Sequence, residues 1–425
     1  MTTGLRKRHI VLALLAALAI ITFLDRLAIA VAGPRIQADL NIPTHLWGWV
    51  LGSFVLAYGI FEIPTGAMGD RIGQRKVLAR IVLWWSAFTA LTGAAHSFWF
   101  LVLVRFLFGA GEAGAFPNAS GVIARWFPVH ERARAQGAVF AASRLGGALT
   151  PLLVVPLQAA IGWRATFLVL GLIGVVWAAV WLAWYRDDCR QQPGISPEEI
   201  AEIGPQASVG RHRDAPWGVL LGSPQLWLIA AMYFCYAAGP WFYFSWFPTF
   251  LMRGAGFSER EMGWFATLPF LLGAAGSLVG GVVGDRLVRR WGLRAGRKRL
   301  AVGSLLVSSL LVVALALSRD KTLVVALSTL GFGIMDLMLA SAWAVCLDVG
   351  AAHAGVVTGV MNTAGQGGGF VCTVLFGYVV RATGSYRAPL ALVAAMLACS
   401  AALFARIDPA RPLVPTTVSA LKEAR

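Results

Sequence analysis

The sequence predicts an all-α membrane protein with 12 transmembrane helices in two six-helix bundles. Composition is the first observation behind this: of 425 residues, 58% are hydrophobic and 13% charged, with a mean hydropathy of +0.70. Soluble domains carry about 25% charged residues. The second is a series of twelve apolar runs, at 10–32, 47–69, 77–95, 98–124, 135–160, 163–185, 225–251, 262–284, 300–317, 322–347, 355–380 and 386–405. They suit a hydrocarbon core of about 30 Å and are too long and uniform for barrel strands. The third is a repeat: Gly66-x-x-x-Asp70-Arg71 returns 215 residues later as Gly281-x-x-x-Asp285-Arg286, each time between the second and third runs of a half.

The first run follows Arg6, Lys7 and Arg8, and Ala28-Ile29-Ala30 mimics a secretory cleavage site. Asp25 and Arg26 interrupt the stretch just before that point and many spans follow, so it is expected to stay as a transmembrane helix. An ionisable side chain at bilayer depth costs at least about 2.5–3.5 kcal/mol, and it usually faces a polar interior where it handles an ion, proton or substrate. Asp25 and Arg26 are neighbours, about 100° apart on a regular helix, so they need not pair with each other. The fourth run contains Arg105 and Glu112, seven residues apart and so on one face, separated by roughly 10 Å along the axis. Asp25 and Arg105 each lie about ten ångströms in from the same end of their helices. These placements point to a transporter, with a structural ion network locking helices together as the alternative.

Between the halves, Arg186 to Ser223 is the only long polar connection. It reads as a cytoplasmic linker (186–223) between an N-terminal bundle (1–185) and a C-terminal bundle (224–425), with a short helix starting at Ser196-Pro197-Glu198-Glu199, where serine caps and proline occupies the first turn. Of 36 Lys and Arg residues, 25 fall in the N-terminus, the linker, the C-terminus and the loops on their side, eight in the opposite loops and three within helices. The positive-inside rule therefore places both termini in the cytoplasm. The net charge of +16 is a topology signal with a secondary attraction to anionic lipid. No nucleic-acid partner is expected, because the charges are dispersed over short loops.

Four of the five cysteines lie in apolar runs with no Cys-x-x-Cys, and the six histidines lack paired metal spacing; no metal and no cofactor is expected. Gly109-Ala-Gly111-Glu-Ala-Gly114 matches the dinucleotide pattern G-x-G-x-x-G, but no soluble strand-turn-helix surrounds it. Small residues allowing close helix contact explain it better.

Gly66-Ala-Met-Gly-Asp70-Arg71-Ile-Gly73-Gln-Arg75-Lys76 resembles the signature loop of the major facilitator superfamily. Leu24-Asp25-Arg26, Arg105-x6-Glu112-Ala-Gly-Ala-Phe-Pro117, Arg125-Trp126-Phe127-Pro128 with Glu131-Arg132, and Trp246-Phe-Pro248-Thr-Phe-Leu251 with Gly256-Phe257-Ser258 resemble its anion:cation symporter family. That family's bacterial members include importers of galactonate, hexuronates and other sugar acids. The resemblance covers residues 10 to about 405. It implies alternating access at a midplane site between the bundles, with arginine for the substrate and the two acids for protons, in a multi-pass protein of the bacterial inner membrane.

In that frame Arg105 is the candidate anion ligand, since a guanidinium presents a fork suited to carboxylate and stays charged at physiological pH. Arg26 is a second, unless it only partners an acid. Asp25 and Glu112 are the candidate proton carriers, because burial raises a carboxylate's proton affinity and a nearby arginine lowers it. Tyr58 and Asn362 match substrate-facing family positions, with aromatic packing and an interhelical amide bond as their alternatives. Trp343, Gln366, Tyr243, Ser143 and Arg144 can complete the cavity or simply pack. Asp70 to Lys76 reads as a cytoplasmic latch, in which Asp70 meets a helix N-terminus or an arginine in one state and releases it in the other. Gly66, Arg71, Gly73, Arg75, Glu131, Arg132, Asp285 and Arg286 belong to the same gating set.

The sequence also departs from the family. Thr22-Phe23 stands where Asn-Tyr is frequent, Glu62 replaces a frequent glutamine and is a third candidate proton carrier, and Asp336 adds an acid to the tenth run. The expected function is a proton-driven symporter, monomeric, importing a small organic anion such as a sugar acid. A drug or metabolite efflux antiporter is the competing reading, encouraged by 17 tryptophans and the aromatic run Trp241 to Trp246. Leu145-Gly-Gly-Ala-Leu-Thr-Pro151 lacks the glycine-proline pattern associated with that class. No nucleophile–base constellation is legible, so an enzyme is not expected.

Overall fold

A computed structural model describes residues 6–203, 217–350 and 353–413. Within them the regular structure is helical, in two compact units, Met1–Arg211 and His212–Arg425. This division falls inside the expected linker.

The first unit contains α1 (Lys7–Asp39), α2 (Thr44–Ile72), α3 (Gln74–Gly93), α4 (Phe98–Glu112), α5 (Ala115–Trp126) and α6 (Val129–Trp184), followed by the short α7 (Pro197–Ile203). The second contains α8 (Trp217–Leu221), α9 (Pro224–Trp241), α10 (Phe247–Thr249), α11 (Glu259–Phe265), α12 (Thr267–Leu317), α13 (Lys321–Gly350), α14 (Ala354–Thr383) and α15 (Pro389–Arg406). Nine helical stretches among the described residues are long and apolar enough to cross a membrane. Two of these, Arg134–Trp184 and Glu259–Leu317, are interrupted by glycines with positive φ, Gly162 (79°) and Gly292 (76°), and each holds two of the expected runs; α3 covers the remaining one. Leu168, Leu172, Val176, Leu278, Leu306 and Leu310 point outward. On a soluble protein such a surface would be a liability, but on a multi-pass membrane protein it is the face that meets lipid tails.

Local chemistry explains several boundaries. Ser97 caps α4 by accepting from the Phe100 amide at 3.3 Å, and Ser258 with Glu261 forms a full capping box on α11. The helix expected at Ser196-Pro197 is present as α7, with the Ser196 hydroxyl accepting from the Glu199 amide at 3.1 Å.

Two runs depart from continuous helix. The fourth breaks after Glu112, where Gly114 adopts a left-handed conformation (φ 88°) and α5 begins. The seventh continues past α9 through two π-helical segments, Phe242–Trp246 and Phe250–Gly254, around Pro248. Proline lacks the amide proton that a regular α ladder needs, and wider i→i+5 turns absorb the misfit.

In the first unit α6 packs against both α1 and α3, and α2 against α4. The approaches of α2 and α3 to α4 are close: a Cβ on Gly109 would come within 2.4 Å of the Phe54 carbonyl oxygen of α2, and one on Gly111 within 1.7 Å of the Trp84 ring of α3. Helix contact is thus what the G-x-G-x-x-G stretch provides. In the second unit α12 packs on α13 and α15, and α9 on α14 and α15.

Candidate functional site

Five of the predicted side chains converge in the first unit: Asp25 and Arg26 from α1, Tyr58 from α2, Arg105 and Glu112 from α4. All are buried, with Asp25 1% and Glu112 0% exposed. Arg26 reaches across to Glu112: its Nε donates to Oε1 at 2.9 Å, and its Nη2 bonds the same oxygen. This ion pair joins α1 to the end of α4. Glu112 Oε2 is left without a hydrogen-bond partner. Arg26 lies over three rings, Phe23 at 4.9 Å, Phe54 at 5.2 Å and Tyr58 at 4.9 Å, so its charge is also held by aromatic faces.

Arg105 is placed differently. Its guanidinium stands over Phe54 at 5.0 Å and Phe108 at 4.5 Å, its Nε has no hydrogen-bond partner, and among the described residues no carboxylate pairs with it. Asp25 and Glu112 are both within electrostatic reach. Neither carboxyl oxygen of Asp25 is hydrogen-bonded, although Trp85 and Thr89 of α3 lie beside it. Arg105 and Glu112 share a helix face as the spacing predicted, yet the acid is taken by Arg26. Glu62 is half-buried one turn along from Tyr58, and Arg144 is half-buried on α6. Ser143 is buried and donates to the Phe140 carbonyl at 2.7 Å.

In the second unit Trp343 Nε1 donates to the Tyr233 hydroxyl at 3.4 Å. Gln366 has a buried, unpartnered Oε1, and Asn362 lies one turn away on α14. Tyr243 takes the packing alternative: it is 2% exposed, its hydroxyl donates to the Ser328 carbonyl at 2.9 Å, and its ring packs on Phe332 at 4.7 Å. Its polar group is spent inside the unit.

Of the gating set, Gly66 and Gly73 flank the end of α2, Arg71 and Lys76 are exposed, and the Asp70 side chain lies outside the described residues. The Arg75 amide donates to Asp187 Oδ1 at 3.0 Å, and its guanidinium bonds the Leu182 carbonyl. Glu131 pairs with Arg8 at 3.2 Å, and Arg132 donates to the Phe127 and Ala124 carbonyls at the end of α5. At the repeat, Asp285 pairs with Arg297 at 3.5 Å, which also holds Asp348 at 3.3 Å, while Arg286 is exposed.

Sequence reasoning did not anticipate the polar latch at the start of α1. Glu199 of α7 accepts from the Lys7 and Arg8 amides at 3.1 and 2.9 Å, capping α1 from a distant segment, and Arg8, 2% exposed, bonds Glu202 at 2.8 Å. The bond to Arg8 holds the Glu202 carboxyl below the usual carboxylate range. The cluster of Glu198, Glu199 and Glu202, set against the basic start of the chain at Arg6, Lys7 and Arg8, was the available signal.

Comparison with known proteins places this architecture. Residues 15–373 match the family model described as Major Facilitator Superfamily. The chain is 34% identical over 416 residues to a probable sulfoacetate transporter of Cupriavidus necator, covering 96% of each chain. It is 30% identical over 398 residues to a probable galactarate/D-glucarate transporter of Bacillus subtilis, covering 88% of this chain and 86% of that one. Among solved structures it resembles an inward-facing, unoccupied bacterial homologue of the human lysosomal transporter Spinster, with TM-score 0.74 at 19% identity over 93% of this chain and 96% of that one, a likeness of fold alone. With the family model spanning most of its length, the chain belongs to the major facilitator superfamily.

Proposed function

We propose that this protein is a proton-coupled symporter that imports a small organic anion by alternating access, from a bacterial inner membrane with both termini in the cytoplasm. The observation that carries the reading is Arg105: a guanidinium buried among aromatic rings with no carboxylate of its own, beside an Asp25 whose oxygens are not hydrogen-bonded. A buried cation without a partner is expensive, and an incoming anion supplies the missing partner. Two negative charges in one low-dielectric site repel, so an anion on Arg105 favours the protonated form of Asp25, and protonated Asp25 in turn favours the anion. Cargo and proton then enter together. Glu112, bonded to Arg26, is the second candidate proton carrier, freed to exchange a proton when that pair opens.

The relatives' names support organic anions as cargo. Phe23, Phe54 and Phe108 cover the two arginines with apolar ring faces, and Tyr58 over Arg26 adds a single phenol. That wall suits a compact dianion such as sulfoacetate better than a polyol chain. Tyr58, Trp343, Asn362, Gln366 and Arg144 are the remaining candidate cargo contacts, and Glu62 a further proton carrier. Asp70 to Lys76, Glu131, Arg132, Asp285 and Arg286 act as gate elements.

Proteoliposomes loaded with labelled carboxylates test this. Uptake of sulfoacetate, and more weakly of glucarate, should rise with an inwardly directed proton gradient. In Arg105→Ala, binding should fall by about 10- to 100-fold, the worth of a charge-assisted hydrogen-bond pair. Uptake indifferent to the gradient, or normal in Arg105→Ala, would exclude the assignment.

A further inference from the structure

Asp336 lies midway between Lys321 and Gly350 on α13 and is 0% exposed. Two hydroxyls from two other helices meet its two carboxyl oxygens. Tyr236 of α9 donates to Oδ1 at 3.3 Å, and Ser277 of α12 donates to Oδ2 at 3.3 Å. Gly273 lets α12 close over the group, since a Cβ there would stand 3.0 Å from Oδ2. Asp336 is the one Asp or Glu within the six apolar runs of the second half.

Its neighbours suit a group that changes charge. On α9, α12 and α14, which pack against α13, the titratable side chains at this depth are the phenols of Tyr236 and Tyr233 and the thiols of Cys235 and Cys372. Asp348 and Arg381 sit near the ends of α13 and α14, and the charged side chains of α12, from Asp285 to Arg299, flank its break at Gly292, where Arg297 pairs with Asp285 and Asp348. A hydroxyl both donates and accepts. When Asp336 is ionised, Tyr236 and Ser277 both donate to it. When it is protonated, its own O–H donates to one of these oxygens while the other hydroxyl still donates to the carboxyl. The cage is therefore hydrogen-bonded in either state.

The cage also connects to candidate cargo contacts. The Tyr236 and Tyr233 rings are 5.2 Å apart, Tyr233 accepts from Trp343, and Gly365, next to Gln366, lies against the Tyr233 ring. We propose that Asp336, with Tyr236 and Ser277, is an additional proton-binding site in the C-terminal half, linked through Tyr233 to Trp343 and Gln366. This deepens the proton-coupled reading and rests on it for its purpose, though proton binding itself can be measured without transport.

The test is infrared difference spectroscopy of the purified full chain in lipid nanodiscs, titrated from acid to alkaline pH in potassium buffer and again in sodium buffer. A protonated-carboxyl band that vanishes on deprotonation should be present in the wild type and in Asp25→Asn and absent from Asp336→Asn. Proton release on alkalinisation should fall by about one per chain in Asp336→Asn. Tyr236→Phe, which keeps the acid, should shift the midpoint of the band without abolishing it, so the outcome survives poor folding of Asp336→Asn. A band unaltered by Asp336→Asn, no titrating band assignable to Asp336, or a band displaced only by sodium would overturn the proposal, the last in favour of a metal-cation site. If the band titrates but uptake ignores the proton gradient, the site stands and the symport reading fails.

Discussion

At the scale of single residues, Arg26 and Arg105 occupy the same oily interior with opposite arrangements. Arg26 is committed to Glu112 by two bonds to one oxygen, whereas Arg105 faces rings. Removing one member of a buried pair strands the other, so Glu112→Ala should lower stability by about 3–5 kcal/mol, and Arg26→Leu with Glu112→Leu should recover much of that loss. Thermal unfolding in detergent reads both; equal destabilisation by the single and double changes would show that the pair does not act as a unit. Asp25→Asn breaks no hydrogen bond. It should unfold no earlier than the wild type while losing uphill accumulation and keeping counterflow, and intact accumulation would remove Asp25 from the proton path. That Asp25, Arg26, Arg105 and Glu112 turn inward was legible in the sequence, because a charge in an apolar run has few reasons to be there. Their pairing was not legible, because helix spacing relates residues along one helix and is silent on which side chain crosses from another.

At the scale of elements, the apolar runs revealed where helices lie but not where they break. Ala113-Gly114 carries the same hydrophobic signal as its flanks, yet α4 ends at Glu112 with Ala113 as its C-cap, and Gly114 at φ 88° restarts the chain as α5. Gly114→Ala forces a Cβ into a left-handed conformation and to within 2.5 Å of Thr65 Oγ1, and should cost about 1–3 kcal/mol together with transport. A variant of wild-type stability would mean that the break is not required. The linker behaves as an element too, since α7 caps α1 through Glu199. Glu199→Ala should cost about 0.5–2 kcal/mol, the usual worth of a helix cap, and speed amide exchange at residues 7–10 over the rest of α1. The Glu202 bond to Arg8 has a pH sign. With the carboxyl held below its ordinary range, the contact is fully present at neutral pH and lost as the medium acidifies through the folded-state value. Protection factors of the amides at the start of α1, corrected for the intrinsic pH dependence of exchange, should therefore fall only once the medium acidifies below the ordinary carboxylate range and stay level toward alkaline pH.

At the scale of the molecule, the repeat of Gly66-x-x-x-Asp70-Arg71 at Gly281 predicted two halves of like design; the first copy lies at the end of α2 and the second just before the break of α12 at Gly292, each in its own unit. The halves have nonetheless diverged in chemistry. The first gathers two arginines and two acids in its interior, and the second keeps one acid among hydroxyls. Periodicity could not foretell this difference, since a duplicated scaffold fixes helix positions while individual side chains remain free to change. Orientation follows from charge: loops and tails carrying 25 of the 36 basic residues resist translocation, so they should remain on the cytoplasmic side. Arg71 and Arg286 are exposed on that set of loops and Asp320 on the other. In a background with the five native cysteines replaced, a membrane-impermeant maleimide applied to intact cells should label Asp320→Cys and leave Arg71→Cys and Arg286→Cys unlabelled, with the pattern reversed in inverted vesicles. Labelling of Arg71→Cys from outside would place the basic loops on the wrong face. The site would then present its cargo and proton paths in the opposite sense, and the same residues would describe an exporter.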